Sequence, residues 1–198
     1  MTQMSKEDKY AQVSVNEGIK RHGEKAVTAV LAEFGQLNDK QVFKQCDANN
    51  LYKAAKREAL NLITMIKQKR DGKIKGRACA DGRKQRWYIN KDDISSPMVQ
   101  LESFMITILI DAHERWDVAT ADVVGAYLLA SIDDYMIVKI SGASTDIMCQ
   151  VDTKYRDFIV YEKGKPTLYL QLSKALYGCM QSGLLWYQTF KGCLEEFN

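Results

Sequence analysis

The chain has 198 residues, of which 46% are hydrophobic and 27% are charged, and its formal net charge at pH 7 is +3. These values predict a soluble globular chain with one large domain or two small ones. The longest apolar stretch, 104–110, is far shorter than the roughly 20 residues of a membrane-spanning helix. The N-terminus has no apolar signal core, so we expect no membrane partner.

The number and spacing of the cysteines indicate whether the chain lies in a reducing or an oxidising compartment. The five cysteines are odd in number and scattered, they form no Cys-x-x-Cys pair, and the chain has only two histidines. We expect free thiols in a reducing intracellular compartment, cytoplasmic or nuclear, with disulfides or a zinc site as the alternative.

Positive charge is concentrated in one segment. Residues 53–91 contain 13 of the 28 Lys and Arg residues but only 3 of the 25 acidic residues, which leaves 15 basic against 22 acidic residues elsewhere. Such a surplus is typical of proteins that bind a phosphate-rich partner. A solvated basic hairpin without a partner would give the same count.

In chain order, segment 15–34 places apolar residues at helical spacing and predicts one amphipathic helix that ends at Gly35. We interpret His22 as a surface residue of that helix rather than a ligand. Segment 37–53 is polar and predicts a connection, and segment 54–59 favours helix.

A basic hairpin is predicted next. An Asp-Gly pair at 71–72 separates two β-prone runs, which indicates strands at about 61–69 and 73–80. Because side chains alternate along a strand, one face should carry Lys73, Lys75 and Arg77. The opposite face should carry Ile74, Gly76 and Ala78. A row of cations can hold a triphosphate or a nucleic-acid backbone.

The basic tract continues through Arg83, Lys84 and Arg86 and reaches two aromatic residues, Trp87 and Tyr88. Stacking of a base on Trp87 is one interpretation. A core or hinge role is the one that we favour from the sequence.

Segment 98–114 has apolar residues in the i, i+3, i+4 pattern and predicts a buried core helix. His113, near its end, is interpreted as structural. The next run, 117–129, predicts a β-strand that ends at Asp122. A carboxylate at a strand end can hold Mg²⁺, although an apolar strand ending in Asp is a common pattern.

The remaining segments predict strands at about 135–140, 146–151, 156–161 and 167–172 and a helix at about 182–197. The adjacent acids Asp133 and Asp134 are interpreted as a solvated turn rather than metal ligands. Gly178, Ser182 and Gly183 punctuate the start of the last helix, where a helix N-terminus can receive an anionic or polar ligand.

Four segments, 75–83, 94–99, 117–129 and 172–187, together resemble the reverse transcriptase of copia-type long-terminal-repeat retrotransposons. The resemblance covers about residues 60–198. It implies an α+β right-hand fold with a helical connector at 1–60, a fingers-like region at 61–115 and a partial palm at 116–198. It also implies DNA polymerisation on a template-primer from deoxynucleoside triphosphates (dNTPs), with Mg²⁺ as the cofactor.

The resemblance assigns roles to individual residues. Asp122 matches the first catalytic carboxylate, and Val123 would offer a backbone carbonyl to the metal. Tyr127 would be the steric gate against a ribose 2′-hydroxyl. Triphosphate and nucleotide contacts fall on Lys75, Arg77, Gly125, Ala126, Tyr177, Gly178, Gln181 and Ser182. Nucleic-acid contacts fall on Lys73, Arg83, Lys84 and Arg86.

The chain departs from the family pattern in three places. Met180 stands where the family usually has Lys, and Gly183 where it usually has Pro. No Tyr-x-Asp-Asp motif, which carries the remaining catalytic acids, occurs in the 198 residues. We therefore expect a fragment of a retrotransposon polyprotein that does not polymerise alone. A non-catalytic nucleic-acid-binding remnant and an unrelated α+β protein are the alternatives.

Overall fold

The computed structural model describes residues 11–90, 92 and 94–196. The helices are Val15–His22 (α1), Glu24–Asp39 (α2), Lys53–Glu58 (α3), Leu101–Glu114 (α4), Ala143–Val151 (α5) and Ser182–Glu195 (α6). The strands are Val13–Ser14 (β1), Phe43–Gln45 (β2), Leu60–Gln68 (β3), Ile74–Ala80 (β4), Ile137–Ser141 (β5), Val160–Glu162 (β6) and Lys165–Leu172 (β7). Short 3₁₀ turns include Gly82–Trp87 and Ala126–Leu129. Residues 1–10 of the predicted connector, Lys91, and residue 197 of the predicted last helix lie outside the described residues.

The strands of this part of the chain form one sheet in the order β1-β3-β5-β7-β2, with β4 paired to β3 and β6 paired to β7. All pairs are antiparallel except β3 with β5. Helices and a largely antiparallel sheet are thus mixed in one chain, as the predicted α+β class requires.

The N-terminal segment is built into this sheet. From residue 11 onward, the predicted connector contains α1, α2 and α3 together with β1, which pairs with β3, and β2, which pairs with β7. Phe34 of α2 is fully buried in the same core as Ile66 of β3 and Leu170 of β7. The three-part domain division stays a prediction.

Helix α2 packs closely on the basic hairpin. A Cβ placed on Gly76 would lie only 2.6 Å from the carbonyl oxygen of Ala29, so the helix and the strand approach each other backbone to backbone. Only glycine permits that approach. The observed strands at 60–68 and 74–80 confirm the predicted hairpin.

The single helix predicted over 15–34 is wrong, because the structure has two. Gly23 has φ +54° and ψ −132°, and no helical residue adopts this conformation. Glycine adopts it without a Cβ penalty, and the chain changes direction there. The apolar spacing predicted the buried face but not the break.

The strand predicted at 146–151 is also wrong, because this segment lies in α5. Three consecutive residues, 147–149, are all buried. That pattern suits a helix covered on more than one side and not a strand with one solvated face.

Two expectations fail in segment 98–124. Helix α4 forms, but none of its residues is buried, and Leu109 keeps 67% of its surface exposed. Residues 116–123 are irregular rather than a strand, and no described strand pairs with them. Apolar spacing identifies a face that favours burial, and β propensity identifies a segment that favours pairing. Neither signal shows whether another element is present to cover the helix or to pair with the strand.

All five cysteines are free thiols, as predicted. None of the helices in the described ranges is both long and apolar enough to cross a membrane.

Candidate nucleotide and nucleic-acid site

The exposed face of the basic hairpin carries a row of cations. In the antiparallel register Lys75 lies directly opposite Lys67, and both side chains are exposed. Arg77 lies opposite Met65, two residues further along the same face. The predicted alternation is confirmed, since Gly76 and Ala78 on the other face are buried. We call Lys67, Lys73, Lys75 and Arg77 the cationic face.

Like charges placed directly across a strand pair repel each other. The opposed ammonium groups of Lys67 and Lys75 therefore favour a bound anion. Sequence reasoning missed Lys67, because a two-residue turn at Asp71-Gly72 would place Gln68 opposite Lys75, whereas the observed loop of residues 70–72 shifts the register by one and pairs Lys75 with Lys67.

A cavity of about 370 Å³ lies beside the cationic face. It brings together side chains or backbone from α2, both strands of the hairpin, and two distant loops. The lining includes Glu33, Gln36, Lys75, Arg77, Val124, Gly125 and Tyr177. Residues predicted separately as phosphate ligands thus share one cavity.

Glu33 was not predicted. Its carboxylate oxygen accepts a hydrogen bond of 2.9 Å from the backbone N–H of Ala78. This contact fixes α2 to the hairpin and places a carboxylate in the same cavity as Lys75 and Arg77. The amphipathic pattern of α2 carries no signal for it, because Glu33 looks like an ordinary solvated position.

Tyr177 lines the cavity, and Tyr127 packs against it. The rings of Tyr127 and Tyr177 pack with centroids 4.7 Å apart and an interplanar angle of 39°. Burial raises the pKa of Tyr177, and Tyr127, Glu33 and Asp122 raise it further, whereas Arg77 lowers it. Asp122 is exposed in the irregular segment, yet it is near enough to act electrostatically on Tyr177.

The loop at Gly178 is fixed against the end of β4. The N–H of Ala80 donates to the carbonyl of Tyr177 over 2.7 Å. Gly178 has φ +91°, and a Cβ there would lie 2.0 Å from the Ala80 carbonyl oxygen. A Cβ on Gly82 would lie 2.2 Å from the Gly178 carbonyl oxygen. Both glycines are therefore required by close backbone approach.

A buried amide network supports the same loop. Gln85 is fully buried, and its side-chain oxygen accepts from the N–H of Met180 at 2.9 Å. Its nitrogen donates to the side-chain oxygen of Gln181 at 3.1 Å, and Gln181 in turn donates to Asp134 at 2.7 Å. The side-chain amide of Gln181 thus holds the Asp134 carboxylate in place. Nothing in the sequence indicated that Gln85 would be buried in this network.

Ser182 lies beneath the loop surface. It is 1% exposed, and its hydroxyl donates to the carbonyl of Leu176 at 2.7 Å. Gln181 is 7% exposed. These two residues hold the loop in shape, while Tyr177 and Gly178 are the members of the predicted set that reach the surface.

Segments 94–99 and 117–129 both approach the start of α6 at Gly183. A Cβ placed there would lie 3.6 Å from the hydroxyl of Ser96 and 4.0 Å from the hydroxyl of Tyr127. With the contact between Gly178 and Ala80, the four segments that carry the family resemblance therefore converge around the loop at 177–183.

The outer basic residues have different surroundings. Arg83 makes a two-point contact with Asp81, at 2.8 Å through Nε and 2.6 Å through Nη2, which lowers the pKa of Asp81. Lys84 donates to the backbone carbonyls of Arg57 and Ala59 at 2.7 and 3.0 Å. Arg86 is exposed, and the structure gives it no ion-pair partner among the described residues.

A pair of magnesium ions does not fit the carboxylates of the described residues. Within the described ranges, no group of three or more His, Cys, Asp or Glu side chains is arranged to hold a metal ion. Asp122 is a single exposed carboxylate, whereas a two-metal site holds its ions with several ligands.

No solved structure matches the chain. A family model described as reverse transcriptase (RNA-dependent DNA polymerase) matches residues 53–198, which is well over half of the chain and spans all four converging segments. The match excludes an unrelated α+β protein, and the chain belongs to the copia-type reverse transcriptase family.

Proposed function

We propose that this chain forms the phosphate-binding part of a retrotransposon reverse transcriptase, with the cationic face gripping a template-primer or a triphosphate. The cavity that joins Lys75 and Arg77 to Gly125 and Tyr177 carries the proposal. Family membership supports it, because reverse transcriptases act on a nucleic-acid template and dNTPs.

The proposed role of each residue follows from the chemistry of its side chain or backbone. Arg77 offers a planar donor fork that matches two phosphate oxygens, and Lys75 adds a mobile point charge. Gly125, at φ +65°, lines the cavity and exposes backbone close to it, so its amide and that of Ala126 are proposed triphosphate donors. Tyr127 is the proposed steric gate. Lys73, Arg83, Lys84 and Arg86 are proposed contacts for the nucleic-acid backbone.

We propose that Asp122 and Val123 contribute to a magnesium site whose further carboxylates lie in another segment of the same retrotransposon polyprotein. Residues 1–198 then bind substrates without joining them. The alternative function, a non-catalytic nucleic-acid-binding remnant, would bind nucleic acid in the same way. A polymerase segment differs from such a remnant in that a Tyr-x-Asp-Asp motif encoded elsewhere completes its metal site.

Removing the charges of Lys75 and Arg77 tests the binding role. For residues 1–198 titrated with a labelled template-primer duplex, we expect the slope of log K against log salt to fall by about 2 in Lys75→Ala/Arg77→Ala. Fluorescence anisotropy between about 50 and 200 mM salt gives both slopes.

The matched control is Lys44→Ala/Lys154→Ala, which removes two exposed lysines from outside the basic segment. Its slope should equal that of the unmodified chain. Equal slopes for the hairpin variant and the unmodified chain would contradict the proposal, as would an equal loss in the control.

A further inference from the structure

A second surface is rich in exposed aromatic residues. Tyr52, Trp87, Tyr88 and Tyr135 keep 83%, 89%, 57% and 64% of their surfaces exposed. The core role that the sequence favoured for Trp87 is therefore wrong. Large aromatic side chains usually bury most of their area, so four of them exposed in one region need an explanation.

Two of these residues share one cleft. Tyr88 and Tyr135 line an open cleft of about 600 Å³, with Ile89, Asp134 and Gln181 beside them. Trp87 directly precedes Tyr88 in the chain. Burial raises the pKa of Tyr135, and Cys46 and Tyr52 raise it further.

Basic residues lie near the aromatic residues along the chain. Lys84 donates to the carbonyls of Arg57 and Ala59, so the turn that carries Trp87 rests on the C-terminal end of α3, which includes Arg57. Arg86 directly precedes Trp87, Lys53 directly follows Tyr52 at the start of α3, and the side chains of Lys53, Arg57 and Arg86 are all exposed.

One acidic residue, Asp134, lines the cleft, and Gln181 donates a hydrogen bond to one of its carboxylate oxygens. Burial raises the pKa of Tyr88, and Cys179, Glu58 and Asp134 raise it further. A carboxylate repels phosphate but accepts N–H groups from base edges. The charges therefore favour bases inside the cleft and a phosphate backbone along the exposed basic residues next to Trp87 and Tyr52.

We propose that Tyr88 and Tyr135, with Trp87 adjacent to Tyr88 in the chain, form a stacking surface for the unpaired bases of a single-stranded nucleic acid. Stacking on aromatic rings is tolerant of base identity and needs basic groups that follow the backbone. The inference rests on the proposed nucleic-acid function and adds a surface separate from the cationic face.

The test uses residues 1–198 and a labelled single-stranded oligonucleotide of mixed sequence. We expect Tyr88→Ala and Tyr135→Ala each to weaken binding by about tenfold without changing the salt slope, because stacking releases no counterions. Tyr88→Phe and Tyr135→Phe keep the ring and should retain the affinity. Unfolding midpoints should stay unchanged, since the rings are exposed.

The matched control is Tyr161→Ala, whose ring is 76% exposed on β6. Unaltered affinity in both cleft variants, or an equal loss in the control, would overturn the inference. If Lys75→Ala/Arg77→Ala loses duplex binding while the cleft variants bind single strands normally, the cationic face stands and the stacking surface fails. A cleft that captures a protein but no oligonucleotide also overturns it.

Discussion

Replacing Gly178 with alanine is expected to destabilise the fold by about 2–5 kcal/mol, as the sum of backbone strain and overpacking. The φ of +91° is unfavourable for any residue with a Cβ, and the added Cβ would lie 2.0 Å from a backbone oxygen of Ala80 that cannot rotate away. Urea unfolding followed by circular dichroism measures the change.

Gly164→Ala separates the two causes. Gly164 also has a positive φ, +73°, but no atom lies within 4 Å of its ideal Cβ. This variant should lose only the conformational part, about 1–2 kcal/mol. If Gly178→Ala loses no more than Gly164→Ala, the loop does not press on the end of β4 as described.

The second large effect is an absence of synthesis. Residues 1–198 with a primed template, dNTPs and Mg²⁺ are expected to extend no primer. Asp122 is the one carboxylate that we propose for the catalytic site, and the sequence holds no Tyr-x-Asp-Asp motif. Charge stabilisation of the transferring phosphoryl group, the main source of rate in such sites, is then largely lost.

A gel-based primer-extension assay measures this, with Asp122→Asn as the matched control. Extension of equal strength from both proteins would indicate a contaminating polymerase and leave the expectation intact. Metal-dependent extension by the unmodified chain that disappears in Asp122→Asn would contradict it.

Local signals predicted the hairpin well. The Asp-Gly turn and the alternation around Lys75 are properties of neighbouring residues, and they gave both strands and the exposed cations. Strand β7 and helix α6 followed in the same way. These elements carry their signals within about ten residues, so no knowledge of the rest of the fold was needed.

Burial depends on partners far away in the chain, and several predictions of buried or paired segments were therefore wrong. The apolar spacing of α4 predicted a core position, but the described residues provide nothing to cover it. The sequence favoured a core or hinge role for Trp87, and the core role is wrong because the side chain is 89% exposed. The strand expected before Asp122 lacks a partner to pair with.

In the candidate site, too, some residues could be identified from the sequence and others, held by long-range contacts, could not. The resemblance identified Arg77, Gly125 and Tyr177, which share one cavity. It did not identify Glu33, which lies outside the matched range, or Gln85, whose buried network links it to Gln181 across 96 positions of sequence. Contacts at such separations leave no periodicity that a single sequence displays.

We propose that the cationic face, the segment at Gly125 and the loop at Gly178 form one triphosphate site. Titration of the ¹⁵N-labelled chain with a dNTP, followed by amide chemical shifts, tests it most directly. We predict that the amides of Lys75, Arg77, Gly125, Tyr177 and Gly178 shift together with one shared affinity. Shifts confined to other surfaces, or none at millimolar dNTP, would contradict the claim.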